Sequence, residues 1–101
     1  MYAMTGNLVA QAGRRDALVE ILNQAAGLVG EFPECRMYIV NEDLSNGTHV
    51  WVFEVWDDRQ SHDASLTNER VRALIAKAVP LLAAAPNGAE LSVAGGHGLG
   101  G

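Results

Sequence analysis

Six side chains in this sequence combine reactive chemistry with an informative position: Asn7, Tyr38, Glu54, Trp56, His62 and Arg72. His62 sits about one turn into the helical stretch that follows the third strand, close to where sheet and helix diverge. An imidazole with an ordinary pKa near ~6.5 satisfies the reach and proton affinity asked of a general base. Its neighbours Asp58, Arg59, Gln60 and Asp63 are all polar, which equally describes a surface helix histidine. Glu54 stands between Phe53 and Val55 on the strand face shared with Val52 and Trp56, and a buried carboxylate needs a partner or a raised pKa. The expected partner is an arginine, Arg72 or Arg36, with catalysis as the second reading. Asn7 is polar within an otherwise apolar strand, so its amide faces solvent or donates a hydrogen bond into a cavity. Trp56 ends a strand as a large core residue whose N–H needs an acceptor. Tyr38 is expected to pack, with its hydroxyl reaching a cavity as the alternative. Arg72 is expected in an exposed salt bridge, or else steadying an anionic substrate from the second helix.

Other chemistries find little support. His49, His62 and His97 do not occur at metal-ligand spacing, so no metal is expected, and His49 and His97 are read as non-functional. Cys35 is the one cysteine, which excludes an internal disulfide and reads as a small core residue. No glycine loop precedes a helix as a phosphate cradle would. Seven Lys and Arg against twelve Asp and Glu give a formal charge of -5 without any basic cluster, which argues against nucleic acid. No 18-residue apolar run appears, so no membrane insertion is expected. The N-terminus lacks the layout of a signal peptide, and a soluble cytoplasmic domain is the default expectation.

Those side chains need elements to hold them. At 101 residues and 49% hydrophobic composition the chain fits one domain with a small core. Tyr2–Ala10 alternates as a strand, with Tyr2, Met4, Gly6, Leu8 and Ala10 on one face and Thr5, Asn7 and Val9 on the other. From Arg14 to Val29 an apolar stripe of Leu18, Ile21, Leu22, Ala25, Leu28 and Val29 predicts a helix, stopped by Gly30 and Pro33. Arg36–Val40 is a short strand. Asn46-Gly47 favours the positive φ of a hairpin turn, and His49–Trp56 is the clearest strand. Asp57 and Asp58 offer a helix cap. The helix they open breaks near Thr67–Asn68, resumes over Glu69–Ala78 and is interrupted at Pro80. Glu90–Ala94 is the last strand. Residues 1–96 form the expected domain, and 97–101 a flexible glycine-rich tail.

The order β-α-β-β-α-β is that of a ferredoxin-like α+β sheet with both helices on one face. Along the third strand Val50, Val52 and Trp56 line one face, while Trp51, Phe53 and Val55 line the other. Two helices cover one face only, and no segment remains to cover the second. A second copy of the chain is the simplest cover, predicting a homodimer packed sheet on sheet.

Gly6-Asn7-Leu8, Gly13-Arg14-Arg15-Asp16-Ala17-Leu18 and Cys35…Tyr38-Ile39-Val40 resemble the first half of an antibiotic biosynthesis monooxygenase domain. Glu54-Val55-Trp56-Asp57-Asp58, with His62 six residues past the tryptophan, resembles that family's central motif. The resemblance runs nearly to Gly96 and implies a dimeric α+β barrel that oxidises a quinol or polycyclic phenol with O2. It implies no cofactor: no metal, flavin or haem. It places a pocket tryptophan at Trp56 and, in some members, an asparagine on the first strand. Catalytic roles are expected for His62, Trp56 and Asn7, with Tyr38, Arg72 and Glu54 as the candidate substrate contacts. Ser65 stands where many members carry a histidine, which is a departure from the pattern.

Cofactor-free oxygenation makes definite demands. A phenol with a pKa of about 10 must lose its proton before passing an electron to O2, which is uphill by roughly 5 kcal/mol against an ordinary histidine. Hydrogen-bond donors aimed at the phenolate oxygen reduce that cost, and apolar walls hold the ring and exclude water. Two alternatives belong to other classes. One is a haem-binding or haem-degrading barrel, for which the second helix offers no axial histidine. The other is a non-catalytic, small-ligand-binding stress-response dimer.

Overall fold

The computed structural model describes residues 1–99. Its elements run β1 (Tyr2–Val9), α1 (Arg15–Val29), β2 (Cys35–Glu42), β3 (His49–Trp56), α2 (Arg59–Ser65), α3 (Glu69–Ala78) and β4 (Asn87–Ser92), with a 3-10 turn at Val79–Leu81. The four strands form an antiparallel sheet in the order β2-β3-β1-β4, the ferredoxin-like arrangement.

Apolar patterning explains which face the helices take. On α1 the buried residues Leu18, Leu22, Leu28 and Val29 recur at helical spacing, and on α3 Val71 and Ala78 do the same. They meet Val50, Val52 and Trp56, which are all but fully buried on β3. The core divides into two clusters. One gathers Ala10, Leu18, Leu22, Val50, Val52 and Ala78, the other Tyr2, Leu28, Val29, Trp56 and Val71, and Tyr38 packs against both.

The second helical stretch bends where polar caps interrupt it. Asp58 Oδ1 accepts the Ser61 N–H at 2.7 Å, opening α2. Asn68 Oδ1 accepts from Arg70 N and Val71 N at 2.9 and 3.2 Å, opening α3 in a new direction. Beyond Pro80 the chain is tied to the end of β1. Ala83 N donates to Val9 O, Gln11 N to Leu81 O, and Gln11 Nε2 to the carbonyls of Pro80 and Leu82.

Three expectations need correction. The strand read as Arg36–Val40 extends over Cys35–Glu42, with a bulge between Cys35 and Met37. The last strand begins at Asn87, not Glu90, because Asn87 and Gly88 pair with Asn7 and Gly6. The β2–β3 connection does not use positive φ at Asn46-Gly47. Asp43 closes it instead: its Oδ1 accepts the N–H groups of Ser45 and Asn46, and its Oδ2 accepts Trp51 Nε1–H at 2.8 Å. A side-chain acceptor thereby replaces a left-handed turn. The expected tail at 97–101 falls in part on residues 100 and 101, outside the described residues.

The opposite sheet face is open in the single chain. Trp51 and Phe53 on β3, Ile39 on β2 and Leu91 on β4 are 38%, 39%, 45% and 47% exposed. Register puts Ile39 beside Phe53, and Leu91 beside Ala3, on this same face.

Candidate active site

Between the two core clusters the sheet and helices part around a cavity of about 630 Å³. That lies within the range of about 300–1,000 Å³ usual for small-molecule sites. Leu8, Tyr38 and Glu54 contribute from the sheet, Leu22 and Val29 from α1, His62 and Ser65 from α2, and Val71 and Leu74 from α3. Residues Leu82–Pro86 close one side.

Two ionisable groups meet in this apolar setting. Glu54 is carried to the helix-covered face by strand alternation, beside Tyr38 in the register. Burial raises its pKa above the usual carboxylate value, opposed by the Trp56 hydrogen bond and by His62. Trp56 Nε1 donates to Glu54 Oε1 at 3.1 Å. His62 Nε2 lies 4.0 Å from the same oxygen, and His62 Nδ1 lies 3.0 Å from Asp63 Oδ1. Each ring nitrogen of His62 thus faces a carboxyl group, Nδ1 the exposed Asp63 and Nε2 the buried Glu54 in the cavity wall.

His62 is therefore not a surface residue despite its polar neighbours, being only 6% exposed. Tyr2 packs its ring 5.2 Å from the imidazole, and Trp56 meets it edge-on at 5.8 Å. Ser65 turns its hydroxyl to the His62 carbonyl at 2.6 Å, holding the turn of α2 that carries the histidine. The Tyr2 hydroxyl donates to Glu90 Oε1 at 2.8 Å, and burial followed by that acidic partner pushes its pKa up to about 12. Tyr38 has its phenol pKa raised, first by burial and then by Glu54.

Of the residues singled out in the sequence, Glu54, His62 and Tyr38 line the cavity, and Trp56 stands directly behind Glu54. Asn7 does not join them. Its register partner is Trp51, so its side chain belongs to the open face, where Nδ2 lies 3.3 Å from His49 Nδ1. Arg72 is exposed on α3 and does not line the cavity. Neither arginine proposed for Glu54 pairs with it: Arg36 binds Asp57 at 2.6 Å. The indole and imidazole take that place. Sequence reading missed Leu74, Ile75 and the Leu82–Pro86 wall, although the alanine run before Pro86 signalled a segment too small to fill a core. Among the described residues no three His, Cys, Asp or Glu side chains gather as a metal cluster. No helix among them is long and apolar enough to cross a membrane.

Comparison with known proteins bears on this geometry. A provisionally named antibiotic biosynthesis monooxygenase from Chloroflexus aurantiacus is 39% identical, covers 98% of both chains and superposes with a TM-score of 0.88. Similarly named proteins from Deinococcus radiodurans and Nitrosomonas europaea are 24% and 12% identical, with TM-scores of 0.85 and 0.88. The Deinococcus protein covers all of both chains, and the Nitrosomonas protein 93% of this chain and 99% of its own. Identities that low speak for the fold alone. No curated protein matches the chain. The sequence profile described as antibiotic biosynthesis monooxygenase matches residues 1–77, so with the 39% identical relative the chain belongs to that family.

Proposed function

We propose that this protein is a cofactor-independent monooxygenase that oxidises a quinol or polycyclic phenol with O2 inside the sheet–helix cavity. The observation that carries this reading is the pairing of Glu54 and His62 Nε2, 4.0 Å apart, within a largely apolar chamber. The phenol ring lies against the apolar walls. Its hydroxyl gives its proton to His62 Nε2, and Glu54 stabilises the imidazolium that forms. The phenolate passes one electron to O2, and the radical pair combines to form a C–O bond at a ring carbon bearing hydrogen. The O–O bond then breaks. One oxygen stays as the new quinone carbonyl, and the other leaves as water with the ring hydrogen and the proton returned from His62. One phenol and one O2 give one quinone and one water.

A second copy of the chain covers the open face carrying Ile39, Trp51, Phe53 and Leu91, making the working unit a homodimer. Sheet-on-sheet packing of such a face contributes about 25 cal/mol per Å² of apolar surface removed from water. The decisive experiment mixes the protein with naphthol or a reduced naphthoquinone without oxygen, then adds O2 and follows oxygen uptake. Uptake that His62→Ala abolishes supports the reading. Equal uptake by the variant, or none by the wild type across both probe classes, overturns it. A ligand-dependent rise in melting temperature without turnover would instead favour the binding-protein alternative.

A further inference from the structure

Gly6 lies in the middle of β1, opposite Val52 on one side and Gly88 on the other. Glycine inside a strand weakens it, and is retained where the chain needs a positive φ, a bulge or a close approach by another group. Gly88 has such a reason: a Cβ there would collide with the carbonyl oxygen of Thr5. Gly6 has none within the protein. Pairing runs through it without a register shift on both sides, its φ is not positive, and a Cβ would meet nothing within 4 Å.

The space left above Gly6 is a lobe of about 320 Å³ that shares Leu8, Leu22, Tyr38 and Glu54 with the main cavity. Its floor at Gly6 and Gly88 is bare backbone, flanked by Met4 and Leu8. The charged residues lining it are both acidic, Glu54 and Glu90. We propose that this glycine floor is a subsite for the flat face of an uncharged fused-ring system, with Gly6 the residue that sets how large a ring system the site accepts. A planar ring resting on peptide groups needs no side chain in its way, and among the described residues the lining offers no cationic side chain to pair with an acidic substituent. The subsite rests on reading the cavity as a phenol site, and deepens it by naming a third fused ring as the part accommodated over Gly6.

Calorimetry under nitrogen, with naphthol as the two-ring probe and phenanthrol as the three-ring probe, reads binding without turnover. Gly6→Val is expected to weaken phenanthrol by about tenfold or more while leaving naphthol within about threefold. Gly6→Ala, which adds one methyl group to open space, gives a smaller change in the same sense. Unchanged phenanthrol affinity, or equal losses for both probes in a variant that melts like the wild type, overturns the subsite. So does failure of the wild type to bind phenanthrol. Should Gly6→Val not fold, the Gly6→Ala ratio of the two affinities decides. Size-selective binding without oxygen uptake upholds the subsite and refutes the oxygenase reading, so the two failures stay distinct.

Discussion

Trp56 donates its indole N–H to Glu54 Oε1 at 3.1 Å, so the largest buried side chain of the core is also the hydrogen-bond partner of the carboxylate in the cavity wall. Residues two apart on a strand share a face, and the pair thereby links the packing of β3 to the chemistry above it.

Replacing that donor separates the two roles. Trp56→Phe removes a contact that lowers the Glu54 pKa, so the carboxyl should titrate at higher pH than in the wild type. Carbon-13 NMR of the labelled side chain reads the shift directly. Loss of a hydrogen bond to a charged group should also lower stability by about 1.5–3 kcal/mol in urea unfolding.

Glu54 itself should make stability depend on pH. Its pKa is raised in the folded state by burial, so folding favours the protonated form. The associated stability is fully present below the ordinary carboxylate value and is lost as pH rises through the folded value. Glu54→Gln mimics the protonated group and should therefore gain on the wild type as pH increases over that window. Urea midpoints measured from acid to neutral pH check this, and parallel curves would contradict it.

The opposite sign applies at Asp43. Hydrogen bonds from Trp51 and from the Ser45 and Asn46 amides lower its pKa to about 2. Stability from this exposed cap is present above the ordinary aspartate value and disappears as pH falls towards about 2. Trp51 fluorescence should change across that range in the wild type. Asp43→Ala should abolish the transition and loosen the β2–β3 connection at neutral pH.

Gly88→Ala should be destabilising by about 1–3 kcal/mol, because the added methyl meets the Thr5 backbone and not a movable side chain. Thermal unfolding of the variant beside Gly6→Ala tests the contrast. The two glycines are neighbours across the β1–β4 pair and should respond unequally.

Phe53→Lys should convert the proposed dimer to a monomer, since it puts a charge in the middle of the open face without touching the helix-covered core. Sedimentation at micromolar concentration distinguishes a 10.7 kDa species from twice that mass.

Elements governed by local periodicity were legible in the sequence. His49–Trp56 was bounded to the residue, and so were the ends of Glu69–Ala78, because Asn68 and Pro80 are strong local signals. The two-sided apolar character of β3 was legible for the same reason. What escaped depended on neighbours distant in sequence. The polar neighbours of His62 leave a surface position as open as a catalytic one, and only the fold decides between them by burying the ring beneath Tyr2 and Trp56. Glu54 by its apolar setting asks for an arginine, and an indole two residues away satisfies it instead. Strand alternation already placed Asn7 with Thr5 and Val9, away from Leu8, and the register confirms it on the open face beside Trp51. Alternation was the better guide there than the polarity of the side chain.

The wall formed by Leu82–Pro86 is fastened through its own main-chain groups: Ala83 N donates to Val9 O, and Leu82 O accepts from the Gln11 side-chain amide. Ala83, Ala84 and Ala85 meanwhile offer the chamber nothing larger than methyl groups. Attachment and contour are thus assigned to different atoms. An engineer wishing to retune which molecules fit can vary these three positions as a small combinatorial library and leave the stitching intact.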